Sequence, residues 1–245
     1  MNHQHPLEDK VAVVTGASGG IGGAVAVALA AAGADLFLSG RDRERLEATA
    51  ERAASHDRRI LVHAADLTGE EAVDEMAARL TEEVGGGDVL VHAAGVFHLG
   101  AVDATPVTEL DRQIGVNLRA PYLLTQALLP TLRQRRGEIV FVNSSVSGRA
   151  GVGAYAASKQ ALKTFADSLR DEVNGDGVRV LSVFPGRTAS AMQEEIHRLE
   201  GRPYHPERLL QPEDVAATVV HSLTLPRTAE VTDLQIRPMR PWADS

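Results

Sequence analysis

The stretch Val11-Ala-Val-Val-Thr15-Gly16-Ala-Ser-Gly19-Gly20-Ile-Gly22-Gly23 joins a short apolar run to a glycine-rich turn, and an Ala-rich helical pattern follows at 20–32. Glycines allow the backbone to turn tightly and to approach a pyrophosphate, and the next helix offers N–H groups and a positive dipole end. The spacing is G-x-x-x-G-x-G rather than G-x-G-x-x-G. Such a turn can also serve tight strand–helix packing alone, but its place after a first strand favours a dinucleotide site.

The alternation of strand and helix continues along the whole chain. Apolar runs lie at Val11–Val14, Asp35–Leu38, Ile60–His63, Val89–His92, Ile139–Val142, Val178–Val183 and Leu234–Ile236, and helical patterns lie at 20–32, 42–54, 69–83, 106–134, 154–174 and 212–224. Strands that are apolar throughout are typical of a parallel sheet covered on both faces, and the alternation indicates βαβ units. The sequence therefore predicts an α/β protein with a doubly wound Rossmann fold. We expect a seven-stranded, mostly parallel sheet with helices on both faces, in a single domain over 1–245.

The segment 185–211 interrupts this alternation. It contains Pro, Arg and Glu residues and lies between the sixth strand and the last long helix. An excursion of this kind from a regular scaffold is usually a lid or a substrate loop, and we predict a substrate loop here.

Composition and charge exclude several classes of function. The chain has 245 residues, a net charge of −8 and no Cys. The negative charge argues against a surface for nucleic acid or for anionic membranes, and the lack of Cys excludes disulfides, Cys-ligated zinc, iron–sulfur clusters and cysteine nucleophiles. No run approaches about 18 apolar residues, the start does not resemble a secretory signal, and the His residues lack metal-ligand spacing. We expect a cytoplasmic protein without a metal site that acts on a small molecule.

The end of the second strand indicates which dinucleotide binds, because an Asp or Glu there would hold the ribose 2′-OH of NAD. The segment reads Leu38-Ser-Gly-Arg41-Asp42-Arg43, with Arg41 directly after the strand. A guanidinium at this place can bind a 2′-phosphate, so NADP(H) is preferred and NAD(H) stays possible. Asp42 is better explained as the N-cap of the next helix, and Arg43 either adds charge or is a solvated helix residue.

The segment Tyr155-Ala-Ala-Ser-Lys159 places a phenol and an ammonium four residues apart, on one face of a helix. A neighbouring ammonium favours the phenolate and lowers a tyrosine pKa that is ordinarily about 10. The pair is thus a candidate acid or base near neutral pH. Alone, it is equally consistent with an exposed helix contact that contributes a few tenths of a kcal/mol.

Together with the glycine turn, this motif resembles the short-chain dehydrogenase/reductase family, and the resemblance runs from about Lys10 to Ile236. The family order continues in Asp66-Leu67, Val91-His-Ala93-Ala-Gly95, Asn117, Val142-Asn-Ser-Ser145 and Pro185-Gly186-Arg-Thr188-Ala-Ser190. The resemblance implies cofactor contacts from Gly16, Ser18, Gly20, Ile21, Gly22, Arg41, Asp66, Leu67, Ala93, Gly95, Tyr155, Lys159, Pro185, Gly186, Thr188 and Ser190. It implies a catalytic group of Asn117, Ser145, Tyr155 and Lys159.

Two positions depart from the family pattern. His92 and Ala93 replace the two Asn residues of the Asn-Asn-Ala-Gly segment, so another group or water should satisfy the buried polar atoms nearby. The loop between the catalytic Ser and Tyr155 is also shorter than usual. The choice among Ser144, Ser145 and Ser147 therefore stays open, with Ser145 favoured by its place after the fifth strand.

The activity implied by the resemblance is NADP(H)-dependent interconversion of a ketone or aldehyde and an alcohol. Tyr155 would be the general acid or base, Lys159 would lower its pKa and bind the nicotinamide ribose, Ser145 would orient the substrate oxygen, and Asn117 would hold a relay water. Candidates for the substrate pocket are Val96, Phe97, His98, Leu99, Val146, Val152, Met192 and Ile196.

Two alternatives remain. A 3-oxoacyl-carrier-protein reductase of the same family would need a basic docking patch, for which the candidates are Arg112, Arg119, Arg133, Arg135 and Arg136. A non-catalytic NADP(H)-binding regulator would bind the cofactor without turnover. The family commonly forms homodimers or homotetramers through its long helices, here 106–134 and 154–174.

Overall fold

The computed structural model describes residues 5–54 and 56–239 and is built on one β-sheet. The strands are β1 (Val11–Thr15), β2 (Asp35–Gly40), β3 (Ile60–Ala64), β4 (Val89–His92), β5 (Glu138–Val142), β6 (Arg179–Pro185) and β7 (Asp233–Ile236). They pair in the order β3-β2-β1-β4-β5-β6-β7, and every pairing is parallel. The predicted seven-stranded doubly wound fold is confirmed. The predicted bounds of 1–245 include 1–4, 55 and 240–245, which lie outside the described residues.

Helices cover both faces of this sheet. They are α1 (Gly20–Ala31), α2 (Arg43–Ala54), α3 (Glu70–Val84), α4 (Val107–Ile114), α5 (Ala120–Arg135), α6 (Gly153–Val173), α7 (Ala191–Leu199) and α8 (Pro212–Leu223). Successive strand residues point to opposite faces. Val14 accordingly packs in a core with α1 and α8, whereas Val13 packs in a second core with α3, α5 and α6. Over the described part of the chain, no helix is long and apolar enough to cross a bilayer.

The structure differs from the predicted helices at two places, and both border the site described below. The single helix expected over 106–134 is divided by a π-helical turn at Gly115–Arg119, which carries the buried Asn117. Such a turn adds a residue to the helix and is frequent at functional sites. The second difference is α7, a helix within the predicted loop 185–211, whose first turn is capped by Ser190: its Oγ accepts from Gln193 N at 3.2 Å.

Candidate active site

A cleft of about 950 Å³ lies at the carboxyl ends of the central strands. In an open α/β sheet, ligands bind where the strand order reverses, and here that point lies between β1 and β4. Every residue predicted to contact the cofactor borders this cleft. Asn117 does not border it and is buried behind its wall. The structure thus brings the predicted residues together, and the contacts they make with a cofactor stay a prediction.

The glycine turn after β1 is shaped as a phosphate cradle. A Cβ on Gly16 would lie 2.6 Å from the backbone N of Ala94, and one on Gly22 would lie 2.3 Å from the carbonyl O of Gly16. Only glycine fits these close approaches. No side chain of the described residues caps the N-terminus of α1 at Gly19, so the N–H groups of its first turn can bind an anion. The turn therefore fits the pyrophosphate of a dinucleotide.

Two arginines stand at the end of the cleft beside β2. Arg41 follows the strand, and Arg45 projects from the first turn of α2. A Cβ on Gly19 would lie only 2.7 Å from Nη2 of Arg45, so the glycine leaves room for this guanidinium against the phosphate cradle. Both side chains are exposed, and within the described residues neither forms an ion pair with a carboxylate. Arg45 is not among the cofactor-binding residues predicted from the sequence.

A signal for Arg45 was present in the sequence. Asp42 caps α2 as predicted, since its Oδ1 accepts from the backbone N of Arg45 at 3.1 Å. Side chains on a helix tilt toward its N-terminus, so a long side chain in the first turn reaches back toward the preceding loop. Arg43, the other arginine of that turn, instead pairs with Glu47. Asp66 is exposed and its Oδ1 binds Thr68, in the turn that leads to α3.

The phenol of Tyr155 and the hydroxyl of Ser144 both belong to residues that border the cleft. Burial raises the pKa of Tyr155, and the hydrogen bond from Ser144 opposes that rise. Ser144, Ser145 and Ser147 all border the cleft, and the choice of Ser145 among them stays a prediction. The backbone N of Ser145 donates to the carbonyl O of Pro185 at 3.2 Å, and its side chain is exposed. Ser147 is exposed as well.

Lys159 lies one helical turn from Tyr155 and is buried. Its Nζ donates to the carbonyl O of Val142 at 2.9 Å, and burial lowers the pKa of the ammonium to about 8. The sequence predicts that this ammonium lowers the pKa of Tyr155. Among the described residues, Lys159 is not one of the groups that shift that pKa. In this state the lysine binds the end of β5, and burial dominates the pKa of the tyrosine.

Asn117 holds the backbone that follows β4. Its Oδ1 accepts from Val96 N at 2.9 Å, and its Nδ2 donates to Val96 O and to Ser158 Oγ, each at 3.0 Å. Ser158 Oγ in turn donates to Tyr155 O at 2.8 Å. Both amide protons of Asn117 are therefore used, and the side chain connects the wall of the cleft to the helix that carries Tyr155.

The histidine that replaces the family Asn finds its own partners. Nε2 of His92 lies 2.9 Å from Oγ1 of Thr125, and the imidazole stacks on Phe141 with ring centroids 4.9 Å apart. Burial lowers the pKa of His92 to about 3, so the ring is neutral. His92 thus ties β4 to α5 through Thr125, and the satisfaction of the other polar atoms that the amide would serve stays a prediction.

The predicted substrate loop is a tethered unit. Thr188 and Leu210 form a parallel bridge at its base, and Ala189 N donates to Leu210 O at 2.8 Å. The Tyr204 hydroxyl accepts from Ser190 N at 3.1 Å and so holds the start of α7. These contacts fix α7 beside the cleft.

Most of the predicted substrate-pocket residues border the cleft, namely Val96, Phe97, Val146, Met192 and Ile196. Three do not. His98 lies 3.6 Å from a Glu109 oxygen, Leu99 packs against Gly151, and Val152 is fully buried. The ring of Phe97 meets that of Tyr155 edge-on, with centroids 5.0 Å apart. The wall nearest the phenol is therefore apolar.

Comparison with known proteins agrees with this geometry. The family model described as short chain dehydrogenase matches residues 10–201. The chain is 33% identical over 237 residues to an uncharacterized oxidoreductase of Staphylococcus aureus (strain USA300), covering 95% of this chain and 99% of that protein. It is 34% identical over 241 residues to the glycine betaine reductase ATRR of Emericella nidulans, but spans only 19% of the length of that protein. The chain belongs to the short-chain dehydrogenase family.

Two solved structures with the same fold hold nicotinamide cofactors. An alcohol dehydrogenase from the archaeon Thermococcus sibiricus, complexed with 5-hydroxy-NADP, is 29% identical with a TM-score of 0.85, and the match covers 96% of this chain and 99% of that one. An NAD⁺-bound xylitol dehydrogenase shares the fold at 24% identity and a TM-score of 0.86, over 95% of this chain and 99% of that one.

Proposed function

We propose that this protein is an NADP(H)-dependent oxidoreductase that interconverts a ketone or aldehyde and an alcohol. Tyr155 is the general acid or base in this proposal, and Ser144 orients the substrate oxygen. The observation that carries it is that Tyr155, Ser144 and Lys159 border the same cleft as a glycine turn shaped as a phosphate cradle.

The proposed proton transfer follows from the position of Tyr155. When bound, the nicotinamide cofactor supplies the hydride in reduction and accepts it in oxidation. Tyr155 donates its phenolic proton to the substrate oxygen in reduction and removes the alcohol proton in oxidation. The Ser144 hydroxyl can donate to the same oxygen and stabilise its developing negative charge. Lys159, with a pKa of about 8, is largely an ammonium at neutral pH. The proposal requires its charge to favour the phenolate once cofactor and substrate are bound, an effect that the interactions of the described residues do not include.

The preference for NADP(H) over NAD(H) rests on charge beside β2. Arg41 and Arg45 are two exposed guanidinium groups at the cleft, and no carboxylate closes the strand to hold a ribose 2′-OH. Arginine binds phosphate in a bidentate manner, so this end of the cleft suits a 2′-phosphate.

The alternative of a carrier-protein reductase is weakened by the partners of its proposed patch. Arg112 binds Glu109, Arg119 binds Glu70, Arg133 binds Asp176 and Arg135 binds Asp88, at 2.7–2.9 Å. These guanidinium groups are already paired within the chain, so an acidic carrier would have to compete for them.

A homo-oligomer and a cytoplasmic location remain predictions. Exposed apolar side chains on α4 and α5, such as Leu110 and Tyr122, are compatible with packing between copies. Light scattering on purified protein tests the first point.

The proposed activity is tested by following NADPH and NADH consumption with ketones, aldehydes and acyl thioesters. We expect turnover with a ketone or aldehyde, and Tyr155→Phe should lower kcat by about 10³-fold or more while the Kd for NADPH changes little. Tyr122→Phe, at an exposed site away from the cleft, is the matched control. NADPH binding without turnover of any compound would support the regulator instead, and near-normal turnover in Tyr155→Phe would remove Tyr155 from the mechanism.

A further inference from the structure

Apart from the pair beside β2 and from Arg237 after β7, two arginines border the cleft, and both are held in ion pairs. Arg149 belongs to the short loop before α6, and Arg187 follows β6. Cations at these places would ordinarily suggest an anionic substrate. The partners of these two arginines instead favour an uncharged substrate.

Both guanidinium groups are held by one carboxylate, that of Glu200 at the C-terminal end of α7. Nη2 of Arg187 lies 2.9 and 2.7 Å from the two oxygens of Glu200, and Nη2 of Arg149 lies 2.9 Å from Oε1. The Glu200 side chain is only 9% exposed and that of Arg187 is 16% exposed. Glu200 and Arg187 therefore form a largely desolvated pair at the cleft wall, and Arg149, whose side chain is 50% exposed, joins them from the solvent side.

The cluster is ionised over the working pH range of most enzymes. Burial of Glu200 disfavours its charge, but the hydrogen bonds and charges of Arg187 and Arg149 outweigh burial and hold the pKa of this carboxyl below its ordinary value. A substrate carboxylate could bind these arginines only by displacing Glu200. Removing a partner from a buried pair leaves an uncompensated charge and is strongly unfavourable.

The surfaces that do face the reacting end of the cleft are apolar. Phe97 packs on the Tyr155 ring, and Val146, Met192 and Ile196 border the same space. An uncharged carbonyl compound would bury apolar surface there at no cost to the cluster, whereas an anion would lose hydration and find Arg149 and Arg187 already paired with Glu200.

We propose that Glu200 is a specificity-determining residue: by holding Arg149 and Arg187, it makes the cleft select uncharged carbonyl compounds over anionic ones of the same shape. This inference rests on the proposed function. Glu200 acts through the two arginines and does not border the cleft itself.

The test compares two substrates of matched shape, 4-formylbenzamide and 4-formylbenzoate. The wild type should turn over the amide with a kcat/KM about tenfold or more above that for the carboxylate. Glu200→Gln should shrink this ratio by about tenfold, chiefly through a lower KM for the carboxylate, because the freed arginines can then bind it. The double variant Glu200→Gln/Arg187→Gln should lose most of that gain.

Glu195→Gln is the control on the same helix. Glu195 forms an exposed pair with Arg198, away from the cleft, so this change should leave the ratio as in the wild type. Glu200→Asp keeps the charge on a shorter side chain and should give an intermediate ratio. This variant tests the proposal even if Glu200→Gln fails to fold.

A binding measurement separates the two proposals. Calorimetry measures the binding of 4-methylbenzoate to the NADPH complex of each variant. Binding to Glu200→Gln should be about tenfold tighter than binding to the wild type, and Glu200→Asp should show a smaller gain. Absence of turnover with this gain in binding would contradict the proposed activity alone. Equal use of amide and carboxylate by the wild type, or unchanged selectivity and binding in the Glu200 variants, would overturn the role of Glu200.

Discussion

The two halves of the cleft are shaped by different means. On the cofactor side, the backbone itself determines the geometry, because glycines such as Gly16 and Gly22 let segments approach to distances that any side chain would prevent. On the substrate side, side chains far apart in sequence make the contacts: Arg149 reaches Glu200 across 51 positions, and Tyr204 braces Ser190 across 14. The shape of the cofactor side thus depends on residues that are close together in the sequence. The shape of the substrate side depends on contacts between side chains that are distant in the sequence.

This difference bears on the choice among Ser144, Ser145 and Ser147, which all border the cleft. The end of β5 belongs to both halves, since the residues that leave the strand are turned by contacts with the neighbouring Pro185 loop. A shift of one residue there exchanges the side chain that faces Tyr155. Apart from Tyr155 itself, residues at this junction should show the largest effects on mutation.

The largest expected effect separates Ser144 from Ser145. Ser144→Ala removes the hydroxyl that binds the Tyr155 phenol, and should lower kcat by about 10²–10³-fold with little change in the Kd for NADPH. Ser145→Ala removes an exposed hydroxyl and should stay within a few-fold of the wild type. Steady-state kinetics on the best carbonyl substrate measures both, and the reverse order would return the role to Ser145.

The strand and helix order and the phosphate cradle could be predicted from sequence, because apolar runs and glycines act through their own backbone. The missed elements depend on contacts between distant segments. α7 lies in a stretch that the sequence marks only as an interruption, and its start is fixed by Tyr204 and its end by Glu200. The π-helical turn at Gly115–Arg119 could not be inferred from an apolar pattern that a plain helix satisfies equally well.

A smaller effect is expected at the 2′-phosphate end, where the cofactor half depends on side chains. Arg45→Ala should raise the Kd for NADPH about tenfold and leave that for NADH within about twofold, because only NADPH carries the charge that this guanidinium would bind. Arg41→Ala should act in the same direction. Fluorescence titration of the cofactor measures both constants.

Arg43→Ala serves as the control for these changes, since Arg43 lies in the same turn of α2 but pairs with Glu47. It removes the same net charge without touching the cleft. An equal loss of NADPH affinity in all three variants would indicate general electrostatics rather than a site, and no loss in any of them would contradict the NADP preference.

The smallest expected effect is on the free energy of unfolding, and it concerns Lys159. The pKa of this buried ammonium falls from 10.5 to about 8, so below pH 8 the cofactor-free fold carries a charge that burial disfavours. A pKa shift of that size corresponds to a cost of roughly 3 kcal/mol for keeping the ammonium buried. Replacing Lys159 removes this cost but also removes its hydrogen bond to Val142, and the lost bond cancels part of the gain. Lys159→Met should therefore stabilise the protein by about 1 kcal/mol at pH 7.

The pH dependence is the sharper part of this prediction. Between pH 8 and about 10.5, Lys159 binds more protons in the unfolded chain than in the folded one. The free energy of unfolding of the wild type therefore rises with pH in this window. The stability advantage of Lys159→Met should shrink over the same range. Urea unfolding of both proteins at pH 7, 9 and about 10.5, without cofactor, measures the difference. A difference that is constant with pH would mean that Lys159 is not forced into a low-dielectric site, and that its contact with Val142 compensates its burial.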